Sequence, residues 1–498
     1  MVQIEPQTCL KWLNLQHKCP GAHRYAHCCI GRARILKTAG RRTSRSPTYW
    51  ALTGAALAAL GCSTQRSDLI TAPASTTSGG GPGTDILGDA AVAQAIEAVV
   101  DERPIGGASL LGGTDGGGTL AKAQSLGQVV LVHSASELSN AVSGDTPAVI
   151  LIDEGQYDFT LSPGRAGKAC TVVCDPSAPV AAETVAAASC ASNATLFDVA
   201  STYDVARVGN NKTIVGLGTG AILKNLKLDL SGSSNVILRN LGFQDVNPGI
   251  FHDGEAIQLW PADHIWIDHC SFKNISYTSM HIASGWDEAN NQALTTAAGY
   301  ITVSWNHFDG RTPKACGGQD PTVLSTNRDP ALTFHHNWFD TSGNWNPYLF
   351  GPGTWGHLFN NAFTNITNIS VAVSCGAAAL LQGNAFENAR DAIYINDNGA
   401  PTWTFCQTGF FGVVYAPFDV VNDEQNLVDA NSPLSLNGQA TDGAGLSLPV
   451  LQTGQTFRIS VPASPTGGSA ASYEYELETN PSEVSALVKA GCGVGQLF

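Results

Sequence analysis

From residue 236 onward the chain returns to one pattern of apolar and polar positions: VILRNLGF, IWIDHCSF, ITVSWNHF, LTFHHNWF, GHLFNNAF and ALLQGNAF. Each run ends in phenylalanine, at positions 243, 272, 308, 339, 363 and 386, in steps of 29, 36, 31, 24 and 23 residues. Alternation within each run predicts a short strand. A recurring unit of this length, widened by insertions, suits one coil of a solenoid. In the last four units the residue two before the phenylalanine is Asn306, Asn337, Asn361 or Asn384. An asparagine at a recurring bend can satisfy turn backbone groups with its amide, and stacked coils would align those amides as a ladder. The expected fold is therefore all-β, a single-stranded right-handed parallel β-helix. A β-sandwich of hairpins fits less well, because Asn-Gly and Asp-Gly turns are scarce between the repeats.

Composition agrees with turn-rich β structure: of 498 residues 43% are apolar, only 13% are charged, and 53 are glycine. The expected β-helix domain runs from 126 to 498, and upstream of it the chain changes character three times. Residues 1–40 show no sustained period and read as an extension ahead of a start called too early. Residues 41–62 carry Arg41, Arg42 and Arg45, an apolar run from Tyr49 to Leu60, then Gly61-Cys62. That run is too short to span a bilayer and has the form of an export signal with a lipoprotein-like end, which predicts lipid on Cys62; an ordinary signal cut beyond Cys62 is the alternative. Residues 63–125 carry TAPASTTSGGGPGTD from Thr71 and read as a flexible tether with a short helix over Ala90 to Val100.

Charge is uneven in the same way. Residues 1–48 hold nine Lys or Arg and one acid, Glu5, which leaves −23 on the rest and argues against nucleic acid as a partner. Eight cysteines follow Cys62, an even count that permits disulfides in an exported chain. Cys170, Cys174 and Cys190 share one insertion without a fourth ligand nearby for zinc.

The segments NKTIVGLGTGAIL, SNVILRNLGF, HDGEAIQLW, HIWIDHCSF, GYITVSWNHFDG, HHNWFD and YEYELETNPSEVSALVKAGCGVG, in this order, resemble the pectate lyase and pectin lyase family of polysaccharide lyases. The resemblance runs from about Val129 to the C-terminus. It implies a parallel β-helix that cleaves α-1,4-linked polygalacturonate by β-elimination: the proton beside the C6 carboxylate leaves, then the glycosidic oxygen departs. Such a site neutralises the carboxylate and presents a base. In pectate lyases calcium does the first task, and an arginine is taken to do the second.

The acidic pair of the family's first ligand motif matches Asp253 and Glu255, two apart and so able to face one cation from a strand; alone they predict a weak calcium site. The second motif matches YTSMHIASG and sets His281 where its final Asp would be. That histidine resembles the calcium-independent pectin lyases, whose nearby arginine would fall on about Ser279. Asp287 and Glu288 follow in an insertion. The family's Arg-x-Pro motif falls on Trp345-Asn346-Pro347, so the base position holds Trp345, which has no lone pair to accept a proton. Tyr348, Leu349 and Phe350 follow where a further basic residue is normal.

The basic residues left nearby are Arg311, Lys314 and Arg328. Lys314 is the first candidate for catalysis and substrate binding, and Arg311 the second. Trp345, Tyr348, Trp338 and Trp355 offer aromatic faces for sugars. Asp268 and His269 are read as buried structural groups. The function implied is a secreted, monomeric lyase acting on pectate or a related acidic polysaccharide, touching membrane only through a lipid anchor, and slowed by Trp345. A galacturonan-binding protein without turnover is the second reading. A galacturonan hydrolase, with Asp397 as its one clustered acid, is the third.

Overall fold

The computed structural model describes residues 87–172, 183–186, 196–247, 250–251, 254–283, 286–287, 292–293, 299–311, 323–326, 331–350, 354–374, 377–396, 413–415, 427–428, 434–436, 439–441, 456–461, 471–478 and 481–498. Its strands form three long parallel sheets of 11, 9 and 9 described strands, and the chain visits them in turn, coil after coil. The fold is the parallel β-helix expected from the repeat, right-handed as parallel crossovers are. The first sheet includes Ser234–Arg239, Asp263–Asp268, Gly299–Ser304 and Leu332–His335. The second holds the strands that end each repeat, such as Ser271–Lys273 and Trp338–Asp340. The third includes Leu226–Asp229, Ile257–Leu259, Met280–Ala283, Val323–Thr326 and Tyr348–Phe350.

The repeat's two sequence signals become two columns in the interior. Phe243, Phe272, Phe308, Phe339, Phe363 and Phe386 stand in register on successive coils. Their rings stack at centroid separations of 5.2, 4.8, 4.7, 4.9 and 4.6 Å, close to the spacing of hydrogen-bonded strands. Asn306, Asn337, Asn361 and Asn384 donate amide to amide along the column at 3.0, 3.0 and 2.9 Å. Their carbonyls also take the backbone N–H of the preceding coil, for instance Cys270 N at 2.8 Å. The bend that precedes this column is left-handed at Asn240, His269, Trp305, His336 and Asn360.

Both ends of the described chain are used as cover. The helix Ala135–Ala141, capped by Ser134, places Leu138 in the solenoid's interior cluster. Residues 87–125, which read as tether and short helix, lie along the outer face of the first sheet. There the helix Ala90–Asp101 buries Ile96, Val99 and Val100 against Val149, Leu151 and Val215. The glycine-rich stretch after it lies flush on strand backbone: a Cβ on Gly107 would stand 1.8 Å from the Ala331 carbonyl oxygen. Its N–H groups are taken by side chains of the sheet, Gly107 by Thr333 and Gly117 by Thr213, each at 2.9 Å. Ala471–Glu476 covers the same sheet further along through Tyr473 and Tyr475, and the helix Pro481–Gly491 covers the second sheet through Val484 and Val488.

Cysteine usage is mixed. Cys170 is disulfide-bonded, whereas Cys270 and Cys492 are free and buried. Burial pushes both free thiols up to about 12, which leaves them unreactive. No described helix is long and apolar enough to cross a membrane.

Candidate active site

The third sheet brings the motif residues together. Its register sets Asp229, Gln258, His281, Leu324 and Tyr348 in one row across successive strands. At the start of the Ile257–Leu259 coil Gly254 has φ +133, a conformation that L side chains rarely adopt, and it directs the chain into Glu255. The Glu255 Oε1 atom lies 2.7 Å from His281 Nδ1 on the next coil. On the preceding coil, Lys227 Nζ is 3.8 Å from Glu255 Oε2 and donates to Gln258 Oε1 at 2.7 Å. All three side chains are shielded, with exposures of 16%, 11% and 10% for Lys227, Glu255 and His281.

This geometry assigns the imidazole tautomer. A carboxylate accepts only, so His281 Nδ1 carries the proton and Nε2 keeps its lone pair. Among the described residues no group bonds to Nε2. The ring is walled by Trp260, edge-on at 4.7 Å, and by Tyr277 at 6.4 Å.

Two coils along the row, about 9.5 Å at the usual strand spacing, stands Tyr348. Trp345, left-handed at φ 54, tilts against it with ring centroids 4.6 Å apart, and both are half-buried. The other aromatic candidates do not join them. Trp338 is on the second sheet, stacked on His307 at 4.2 Å and bonded through Nε1 to Thr364. Trp355 is buried on the first sheet in one cluster with Tyr473 and Tyr475. The coil's passage through three sheets sends these three tryptophans to three different faces.

Arg311 is committed elsewhere. It ends a strand of the second sheet, where Nε holds Asp309 at 2.7 Å and Nη2 holds Asp340 at 2.6 Å. Asp268 is buried at the end of a first-sheet strand, and His269, in the bend after it, is partly buried. Lys314, Asp253, Arg328, Glu288, Asp397 and Cys62 lie outside the described residues, as does the Asp287 side chain.

The one described acid of the expected calcium pair is thus already compensated, with an imidazole N–H on one oxygen and an ammonium facing the other. Among the described residues no three His, Cys, Asp or Glu side chains converge on one point. Among the described residues, Glu255 with His281 and Lys227 does not make the cage of carboxylate oxygens that calcium requires. Lys227 lies in no motif, and Gln258 and Trp260, though inside HDGEAIQLW, had no role assigned. The alternation of NLKLDL, with Lys227 and Asp229 outward and Leu226 and Leu228 inward, was the available signal.

Comparison with known sequences agrees with this picture. A family profile described as pectate lyase matches residues 171–407. The chain is 32% identical over 319 residues to probable pectin lyase F-2 of Aspergillus terreus, covering 61% of this chain and 60% of that protein's length. It is 30% identical over 301 residues to the pectate trisaccharide-lyase of Bacillus licheniformis, covering 60% of this chain and 71% of that one. Among solved structures, pectate lyase from Acidovorax avenae subsp. citrulli aligns at TM-score 0.45 and 16% identity, over 80% of this chain and 95% of that one. Identity of 30% over 71% of a lyase's length defines the class. The chain belongs to the pectate lyase and pectin lyase family of polysaccharide lyases.

Proposed function

We propose that the protein cleaves a pectic galacturonan by β-elimination on the outer face of the third sheet. The observation that carries this reading is the Lys227–Glu255–His281 group, which sets a cation and a hydrogen-bonded imidazole side by side on that face. Elimination beside a carboxylate needs both kinds of group: positive charge to hold the carboxylate as electron density moves onto it, and an acceptor for the departing proton. Trp345 and Tyr348 supply sugar-stacking surface two coils away. No step is routed through calcium, because Lys227 stands where compensating charge is needed. Export and lipidation at Cys62 belong to the same proposal, as does the monomeric state.

Binding without turnover is the second reading, favoured by Trp345 at the family's base position. One assay separates the two. Purified protein is incubated with polygalacturonate and with methyl-esterified pectin, with and without a chelator, and unsaturated ends are followed by ultraviolet absorbance. The expected outcome is slow, chelator-resistant growth of absorbance. Retention on immobilised pectin with no absorbance would replace the lyase by the binding protein, and no retention on either polymer would remove both.

A further inference from the structure

We propose that His281, oriented by Glu255, is the base of the elimination, taking the part that the arginine position cannot play when occupied by Trp345. The inference rests on the lyase reading and names a group for its first chemical step. Three observations support it. The Nδ1 contact to Glu255 at 2.7 Å fixes the ring and leaves the lone pair on Nε2. Among the described residues nothing bonds to that atom. The ring lies in the outward row that also holds Gln258 and, two coils on, Tyr348, so a polymer crossing this face passes over it.

Among the described residues, the titratable groups facing the imidazole are Glu255 from the turn ahead of Ile257–Leu259, Tyr277 from the turn ahead of Met280–Ala283, and Lys227 beyond Glu255 on Leu226–Asp229. Glu255 stabilises the imidazolium as it forms. Lys227 stands beside the developing negative charge of the substrate carboxylate. In the step itself, Nε2 takes the proton from C5 and the C–H electron pair becomes the C4=C5 double bond. As that double bond forms the C4–O bond breaks, and its pair leaves on the glycosidic oxygen. That oxygen is protonated by the imidazolium or by water, so the histidine returns neutral and no oxidant or further reactant is consumed. Trp345 contributes only stacking in this scheme, which explains how a family member can lack the arginine.

The test uses the full-length protein on the substrate that gives unsaturated ends. His281→Gln is expected to lower kcat by at least ~100-fold with KM changed by less than about threefold, the usual scale for removing a general base. Added imidazole is expected to restore part of the rate to His281→Ala, and nothing to Glu255→Gln. Glu255→Gln, which keeps the shape of the pair, is expected to lower kcat and displace the acid limb of the pH–rate profile. Circular dichroism checks that each variant is folded; where His281→Ala is not, the displaced limb in Glu255→Gln stands as the readout. A His281→Gln enzyme within threefold of the wild-type kcat overturns the assignment and leaves the lyase reading intact. A wild-type protein that makes no unsaturated ends overturns the lyase reading itself.

Discussion

Two carboxylate–histidine pairs in this molecule share one geometry and differ in everything around it. Glu255–His281 on the third sheet and Asp268–His269 on the first are both joined through Nδ1 at 2.7 Å. Asp268 also accepts from Ser304 at 2.6 Å and from Arg239 Nε at 2.9 Å, and Arg239 in turn reaches Val99 and Glu102 in the covering segment and lies over Trp266 at 4.4 Å. Burial alone would raise the Asp268 pKa, but the His269 and Arg239 charges and the hydrogen bonds outweigh it and hold the carboxyl well below the usual range. Both oxygens of Asp268 have fixed partners, and through Arg239 they tie the covering helix to the sheet, so that carboxylate has nothing left to offer a substrate. Among the described residues Glu255 meets only His281 and Lys227, on a face that also carries Trp345 and Tyr348. A carboxylate–histidine contact therefore says little until the carboxylate's other partners and the cover are known.

The contrast can be broken most sharply at Asp268. Asp268→Ala leaves Arg239 buried with half its compensation gone, and the expected loss is about 3–5 kcal/mol in denaturant unfolding, while kcat per folded molecule stays near wild type. A loss of kcat on the scale expected for His281→Gln, in protein shown to be folded, would put the two pairs in one functional class.

A smaller effect comes from the histidines sealed under the Ala471–Glu476 strand. His357 accepts from the Tyr473 hydroxyl at 2.6 Å and donates to Gln382 at 3.1 Å, and burial pulls its pKa down from 6.5 to about 3. His335 and His336 move the same way for the same first reason. Because the folded value lies below the unfolded one, the unfolded chain takes the proton first. Stability is full above the unfolded pKa of 6.5 and falls as pH drops towards about 3. His357 alone contributes a loss of about 2 kcal/mol at pH 5. Thermal unfolding between pH 7 and pH 5 measures it, and His357→Gln should flatten the slope.

The smallest effect is expected at Arg311. Its ion pairs with Asp309 and Asp340 leave the side chain 58% exposed, so Arg311→Ala should cost at most about 1 kcal/mol in thermal unfolding. A collapse of turnover in that variant would return the chemistry to the loop that follows Arg311 and sharpen the role of the third sheet to binding.

Much of the fold was legible because its signals are local and periodic. A phenylalanine that recurs at each coil can only stack if the coils are in register, and the asparagine two places before it has nowhere to send its amide except to the next coil. The candidate site was legible in part. Glu255, His281, Trp345 and Tyr348 stand out because motif spacing carries them. Lys227 was not found, since a lysine on an alternating strand looks the same whether it faces water or a carboxylate one coil away. Trp338 and Trp355 were grouped with Trp345 because nearness along the chain says nothing about which of three faces a strand presents.

What the amino-acid order determined by itself is the coil: strand period, bend residues, the two interior columns and the family motifs, all of which act within one repeat or between identical positions of neighbouring repeats. What only the tertiary structure decided is cover and company. Gly106 to Gly118 is compositionally indistinguishable from a free tether, yet it lies on the first sheet because threonine and asparagine side chains some 100 to 230 residues away take its N–H groups. The same holds for the two carboxylate–histidine pairs. Each histidine meets its carboxylate through geometry the chain order leaves open, and whether the pair is sealed beneath a helix or set on an outward row depends on which sheet the distant ends of the chain come back to cover.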